Sequence, residues 1–209
     1  MTKKIITLTL LTPLIYTACS SNKPNTNIET PETVSTQINN LDTTTVNYNN
    51  DNTKIKKQGI MHISSFMGTL KPTLMSLIKS DPSFKTAMGG CTSMAQSMTN
   101  DYNAVSPNTK IRRTALKYRN EKNKPDATDT IVMEHFLASN DFKEPLVVEM
   151  PTHYRVYKAL DMKQPCLACH GTNISTDLKQ MLISSYPTDL ATHFKLGEFR
   201  GVVVAEVQK

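Results

Sequence analysis

The sequence predicts an α+β domain, and three observations carry that reading. Apolar residues recur at helical spacing from Ile55 to Tyr102, valine-rich runs with the alternation of strands fill the later part, and the Asn/Thr-rich stretch ahead of both has few large apolar residues. Helices first and strands later place helices against an antiparallel sheet, with a helical N-terminal part.

The order along the chain gives three segments. Residues 1–18 read as a lipoprotein signal: Lys3 and Lys4 form a basic start, Ile5 to Ile15 an apolar stretch, and Tyr16-Thr17-Ala18 precede Cys19. The apolar core is too short to span a bilayer, and small residues before a cysteine resemble a lipobox in which Cys19 is acylated. The alternative is plain export with cleavage elsewhere. Residues 19–52 read as a disordered Asn/Thr-rich tether, whose reach as a flexible coil is roughly 30 Å. Residues 53–209 read as the folded domain.

Within that domain Ile55, Gly59, Ile63, Phe66 and Leu70 mark a first helix, which Pro72 is expected to interrupt, with a short second helix over Pro72–Ser80. Phe84, Met88, Cys91, Ala95, Met98 and Tyr102 form one apolar stripe on a third, so Cys91 faces the core or something occupying it. Lys110–Asn120 is ambiguous between strand and irregular structure. Asp126 caps a helix to about Ser139, with Asp129 as its capping-box partner. Leu146–Met150, His153–Leu160 and Phe199–Val207 read as strands, the first two joined by a Pro151-Thr152 turn.

The net charge of +6 becomes +4 without Lys3 and Lys4, and no run of five like charges exists. A nucleic-acid partner is therefore not expected. Four cysteines in an exported chain would ordinarily form disulfides, yet Cys19 is assigned to lipid and only Cys91 stands apart from the pair that follows.

That pair lies in Cys166-Leu167-Ala168-Cys169-His170, the C-x-x-C-H pattern of c-type haem attachment. Two thiols three positions apart on one turn can add to the two porphyrin vinyl groups, and the next residue then lies beneath the ring, where its imidazole reaches iron. A thioredoxin-like pair needs a βαβ setting that Pro165 does not supply, and zinc needs two further ligands at fixed spacing. Export, the adjoining histidine and Gly171 favour haem.

Three stretches carry a family resemblance. They are Lys110–Asn120 with Asn123–Asp126, then Cys166–Gly171, then Tyr186–Ala191 continuing to Gly197–Gly201. In this order they resemble a bacterial family of PAS-like c-type haem domains, found as exported cytochromes or as sensor modules. The resemblance covers about residues 55 to 207 and implies a five-stranded antiparallel PAS-like sheet with flanking helices. It also implies His170 and a cysteine thiolate as the two axial iron ligands, the matching cysteine being Cys91. His193 stands where the family usually has glycine, and Glu198 where it commonly has aspartate.

A buried core thiol is the other reading of Cys91, and Gly89 and Gly90 before it suit the approach of a flat ring. Met88, Met94 and Met98 are further sulfur candidates; the stripe accounts for Met88 and Met98, and Met94 lies off it. His153 and His193 are alternatives to Cys91, whereas His62 and His135 read as packing or surface residues. Arg112 and Arg113, with Arg119, suit haem propionates, or else pair internally with Asp126 or Asp129 or form a solvated face. The expectation is a membrane-tethered monohaem cytochrome with covalent haem c, not an enzyme, acting in electron transfer at the cell envelope and facing the periplasm. The alternative is a redox or diatomic-gas sensor signalling through a separate partner.

Overall fold

The computed structural model describes residues 52–209, apart from the side chain of Cys91. The expected signal segment, Cys19 and all but the end of the tether lie outside the described residues. Four strands make one antiparallel sheet: β1 (Thr109–Thr114), β2 (Leu146–Glu149), β3 (His153–Asp161) and β4 (Phe199–Gln208), in the order β1-β4-β3-β2. The α+β reading therefore holds, with helices on both faces.

The alternation of the strands assigns those faces. Val147, Val156, Val203, Ala205 and Val207 pack with Ile63, Phe66 and Leu70 of α1 (Thr53–Ser80). Their neighbours Val148, Tyr157, Val202 and Val204 pack with Val132, Met133 and Phe136 of α4 (Ala127–Ser139). β2 and β4 thus read apolar on both sides, as a sheet covered on both faces requires, whereas β1 carries Arg112 and Arg113 and β3 carries Arg155 and Lys158. The helix α1 comes so close to β3 that a Cβ on Gly59 would stand 2.4 Å from Val156 Cβ.

Several elements differ from the sequence reading. The first helix is continuous through Pro72 rather than broken there. The residue four positions earlier is Gly68, which is exposed and has open space around it, so its unpaired carbonyl is left to water. The next helical stretch is one run in sequence but three in structure: α2 (Lys85–Gly89), a π turn (Gly90–Met94) and α3 (Ala95–Val105). The wide turn divides the apolar stripe. Met88 packs with Leu178 and Leu182 of α6 (Thr176–Ser185), whereas Ala95, Met98 and Tyr102 pack against the α1 side of the sheet.

Residues 109–114 resolve as strand β1, and the sheet has four strands among the described residues, where the resemblance implies five. The outer edge of β1 is closed by a side chain instead: Asn103 accepts from Ile111 N at 2.7 Å and donates Nδ2 to Ile111 O at 2.8 Å. That amide supplies the two hydrogen bonds a further strand would make at this position. The capping box at Asp126 and Asp129 forms as read, with both reciprocal bonds present.

Candidate functional site

The C-x-x-C-H residues follow β3 directly. Cys166 ends a 3-10 turn (Gln164–Cys166), and Cys169 and His170 lie on the single-turn α5 (Leu167–His170). Neither cysteine is in a disulfide, and both are partly accessible. Among the described residues no cluster of three or more His, Cys, Asp or Glu could hold a metal ion by itself, which leaves the zinc alternative without its further ligands there.

The chain that follows α6 folds back over this turn. Phe194 N donates to His170 O at 2.9 Å, and His193 N donates to Gly171 O at 3.1 Å. The His170 Nδ1 hydrogen bonds to Ala191 O at 2.7 Å, so Nδ1 carries the proton and Nε2 keeps its lone pair. Nε2 has no hydrogen-bond partner among the described residues. Burial above all, then the charges of Arg200 and Arg119, hold His170 well below its ordinary value of 6.5, against the pull of the Ala191 bond. A neutral imidazole with one nitrogen pinned and the other free is the state a metal ligand needs.

Arg119 ties the three resembling stretches together. Its guanidinium pairs with Asp189 at 3.0 Å and donates to Cys169 O at 2.6 Å and Ala191 O at 3.1 Å. Asp189 in turn accepts from Ala191 N at 2.8 Å. The first motif therefore clamps the second to the third, and the carbonyl that orients His170 is fixed from both sides.

His170 opens onto a cavity of about 150 Å³. Leu74 and Leu77 of α1 line it with Gly90, Met94, Ala95 and Met98 from the π turn and α3, and so do Arg113, Arg119 and Arg200. A second cleft of about 610 Å³ is lined by Leu167, Ala168 and Gly171 and by Ile78 and Phe84. Leu77 and Ile78, consecutive on α1, line one space each.

The sequence-based site residues divide as follows. Cys166, Cys169 and His170 come together on one turn, and Arg113 faces the same cavity with its Nη2 on Ala95 O at 3.1 Å. Arg112 does not. Neighbours on a strand point to opposite faces, and Arg112 lies on the α4 side in a bidentate pair with Asp129, both contacts at 2.6 Å, and against Glu206 at 2.9 Å. Its propionate assignment is corrected to the internal pairing. For Cys91 only the backbone is described, within the π turn whose Gly90 and Met94 line the His170 cavity. His153 and His193 do not line it, and His62 hydrogen bonds to Tyr102 Oη at 2.8 Å.

Arg200 was not singled out from the sequence. It is the bulged residue of β4: Leu160 pairs with Gly201 and Asp161 with Phe199, leaving Arg200 unpaired between them. The bulge turns Arg200 toward the cavity while Phe199 stays in the core. Burial and then Arg119 push its guanidinium down to about 10, with Asp189 opposing. The readable signal was Gly201, since glycine inside a strand marks a bulge or a close approach. Here φ is +149° and a Cβ would stand 2.6 Å from Thr114 O.

Arg113, Arg119 and Arg200 line the cavity, and Arg119 pairs with Asp189, so the lining suits an acidic cofactor. This donor set and the free His170 Nε2 fit an iron porphyrin with its two propionates. The profile of the Tll0287-like family matches residues 23–207. The chain belongs to the Tll0287-like family. No curated protein matches it. Among solved structures, the crystal structure of the cyanobacterial haem protein Tll0287 is similar at a TM-score of 0.57 and 20% identity, over 72% of this chain and 94% of that one. At that identity the likeness concerns the fold, which this Tll0287-like chain shares.

Proposed function

We propose that this Tll0287-like chain is a monohaem c-type cytochrome, tethered to a membrane through acylated Cys19 and acting in electron transfer at the cell envelope. The observation that carries the reading is His170, neutral, pinned through Nδ1 and on one turn with two cysteines that form no disulfide. Cys166 and Cys169 would hold the haem through thioethers, with His170 and Cys91 of the π turn as its iron ligands. The PAS-like character of the fold belongs to this proposal as well. Bound there, the group supplies a one-electron couple at its iron.

The rest of the chemistry belongs to the chain. Arg113, Arg119 and Arg200 offset the acidic groups of the cofactor, and covalent attachment prevents its loss outside the cell. The Ala191 carbonyl keeps the Nδ1 proton in place and raises the electron donation of Nε2. Leu70, Leu74 and Leu77 restrict water on the α1 side. Similarity in fold to a haem protein supports the same assignment.

Intact mass spectrometry on protein matured in a cytochrome-assembly host tests attachment. The wild type should carry one haem that survives denaturation, and the Cys166→Ser/Cys169→Ser double variant none. A wild type of unmodified polypeptide mass, from a host that matures a control cytochrome, would end the proposal. The sensor reading rests on the π turn, because a turn with a wider hydrogen-bond register is a common functional irregularity. Binding of carbon monoxide to reduced protein with changed protease sensitivity would favour it over the carrier.

A further inference from the structure

We infer that a separate cleft beside Phe194 binds a small amphipathic carboxylate, with its head on Arg200 and its apolar body along Leu116, Leu137 and Leu196. The inference goes beyond the haem reading and stands or falls without it.

Arg200 lacks the partner that its charge calls for. Arg112, Arg119 and Arg155 each meet a carboxylate oxygen at 3.0 Å or closer. Among the described residues Arg200 forms no ion pair. Its Nη1 donates to Lys117 O at 3.0 Å, and its Cζ stands 5.5 Å from the centre of the Phe194 ring. Asp189, whose charge acts on Arg200, is already bonded to Arg119 and to the Ala191 amide. A half-buried guanidinium in this state keeps strong donors without an acceptor of matching charge. Arg200 is also the one residue that lines both the His170 cavity and a further cleft of about 630 Å³, a volume within the range of small-molecule sites, about 300–1,000 Å³. A guanidinium carries several N–H donors in one plane, so it can serve the cofactor cavity and still offer donors to the cleft.

The rest of the lining has the character of a site for an amphipathic molecule. Leu116, Phe142 and Phe199 line the cleft from the cluster that α4 covers. Leu137 and Leu196 line it as well and are 49% and 61% accessible, which leaves apolar surface uncovered there. Lys117 adds a second cation, with Nζ 4.2 Å from the centre of the same Phe194 ring and one hydrogen bond, to Thr192 O. Glu198 is the one carboxylate in the lining, and its Oε2 accepts from Lys195 N rather than from either cation. Apolar surface alone would suit a neutral molecule or another protein chain. The unpaired guanidinium on the same lining selects an anionic head, and a carboxylate is the planar head that fits its fork.

The test uses matured full-length protein and titration calorimetry with octanoate, octan-1-ol and acetate at neutral pH. Octanoate should occupy one site. Octan-1-ol lacks the charged head and acetate the apolar body, so each should bind at least about tenfold more weakly. Arg200→Gln should weaken octanoate binding by at least about tenfold, the scale of one charge-assisted hydrogen bond. Leu137→Asp, at an exposed position on α4, should weaken it comparably while leaving the haem cavity untouched. Ile183→Asp, at an exposed apolar position outside the cleft, should match wild type. Should Arg200→Gln not fold, the alcohol comparison and Leu137→Asp still decide. Absence of octanoate binding in the wild type overturns the inference. So does octan-1-ol binding as tightly as octanoate with Arg200→Gln silent, which would make the cleft an apolar surface only. A wild type that self-associates unless Leu137 is replaced, and takes no octanoate, would overturn it too and assign the cleft to a second copy of the chain.

Discussion

Replacing Arg119 by leucine should destabilise the domain by about 3–5 kcal/mol, the cost of breaking one side of a buried ion pair. The side chains of Arg119 and Asp189 are each only 9% accessible, so the carboxylate would be left in a poorly hydrated place. The Cys169 and Ala191 carbonyls lose a charged donor at the same time. Lys56 and Glu144 give the contrast: at 39% and 72% accessible their pair should contribute less than about 1 kcal/mol, and Lys56→Ala should be nearly silent. Equilibrium urea unfolding of apoprotein measures both. A domain of this size has about 5–15 kcal/mol in total, so the Arg119→Leu midpoint should fall steeply with the slope retained. Removing the stranded charge as well, in Arg119→Leu/Asp189→Leu, should recover part of the loss. An Arg119→Leu effect within about 1 kcal/mol would refute the claim that this clamp organises the site.

Other perturbations address the frame around the site. Burial tends to raise the Asp126 carboxyl, but the Asp129 backbone N–H and Arg155 outweigh it and leave the group below its ordinary value of 3.8. Its contribution is therefore present above about pH 4 and lost as pH falls further, so Asp126→Ala should cost about 1 kcal/mol at neutral pH and converge with wild type in acid-unfolding curves. Asp126→Asn should retain the cap. His193 has a left-handed backbone with φ of 65°, and glycine there should stabilise by about 0.5–1 kcal/mol in thermal or urea unfolding. Gly201→Ala should cost at least about 2 kcal/mol, because a side chain would meet Thr114 O in a region reserved for glycine.

Much of the site was legible because its chemistry lies in contiguous residues. Cys166, Cys169 and His170 are readable from spacing, and the cap at Asp126 from local hydrogen-bonding chemistry. The strands Leu146–Glu149, His153–Asp161 and Phe199–Gln208 follow from their alternation and β-branched content. What escaped depends on three-dimensional context. The role of Arg200 arises from a bulge whose partner, Asp161, is distant in the chain. Arg112 and Arg113 look equivalent in sequence, and only the sheet separates one toward Asp129 and the other toward the cavity. The π turn preserves an uninterrupted helical pattern while changing which wall each side chain joins, so the stripe through Cys91 read as one face where the structure has two. Pro72 was read as a break because the tolerance of Gly68 four residues earlier is invisible to a rule about proline alone.

The most direct measurement is the absorption spectrum of matured protein, oxidised and then reduced, for wild type beside His170→Ala. A haem fixed at Cys166 and Cys169 with His170 on its iron predicts a coloured wild type whose bands shift on reduction. The variant should stay coloured with both spectra altered. Colourless wild-type protein with both thiols free to react, or a His170→Ala spectrum indistinguishable from wild type, would contradict it.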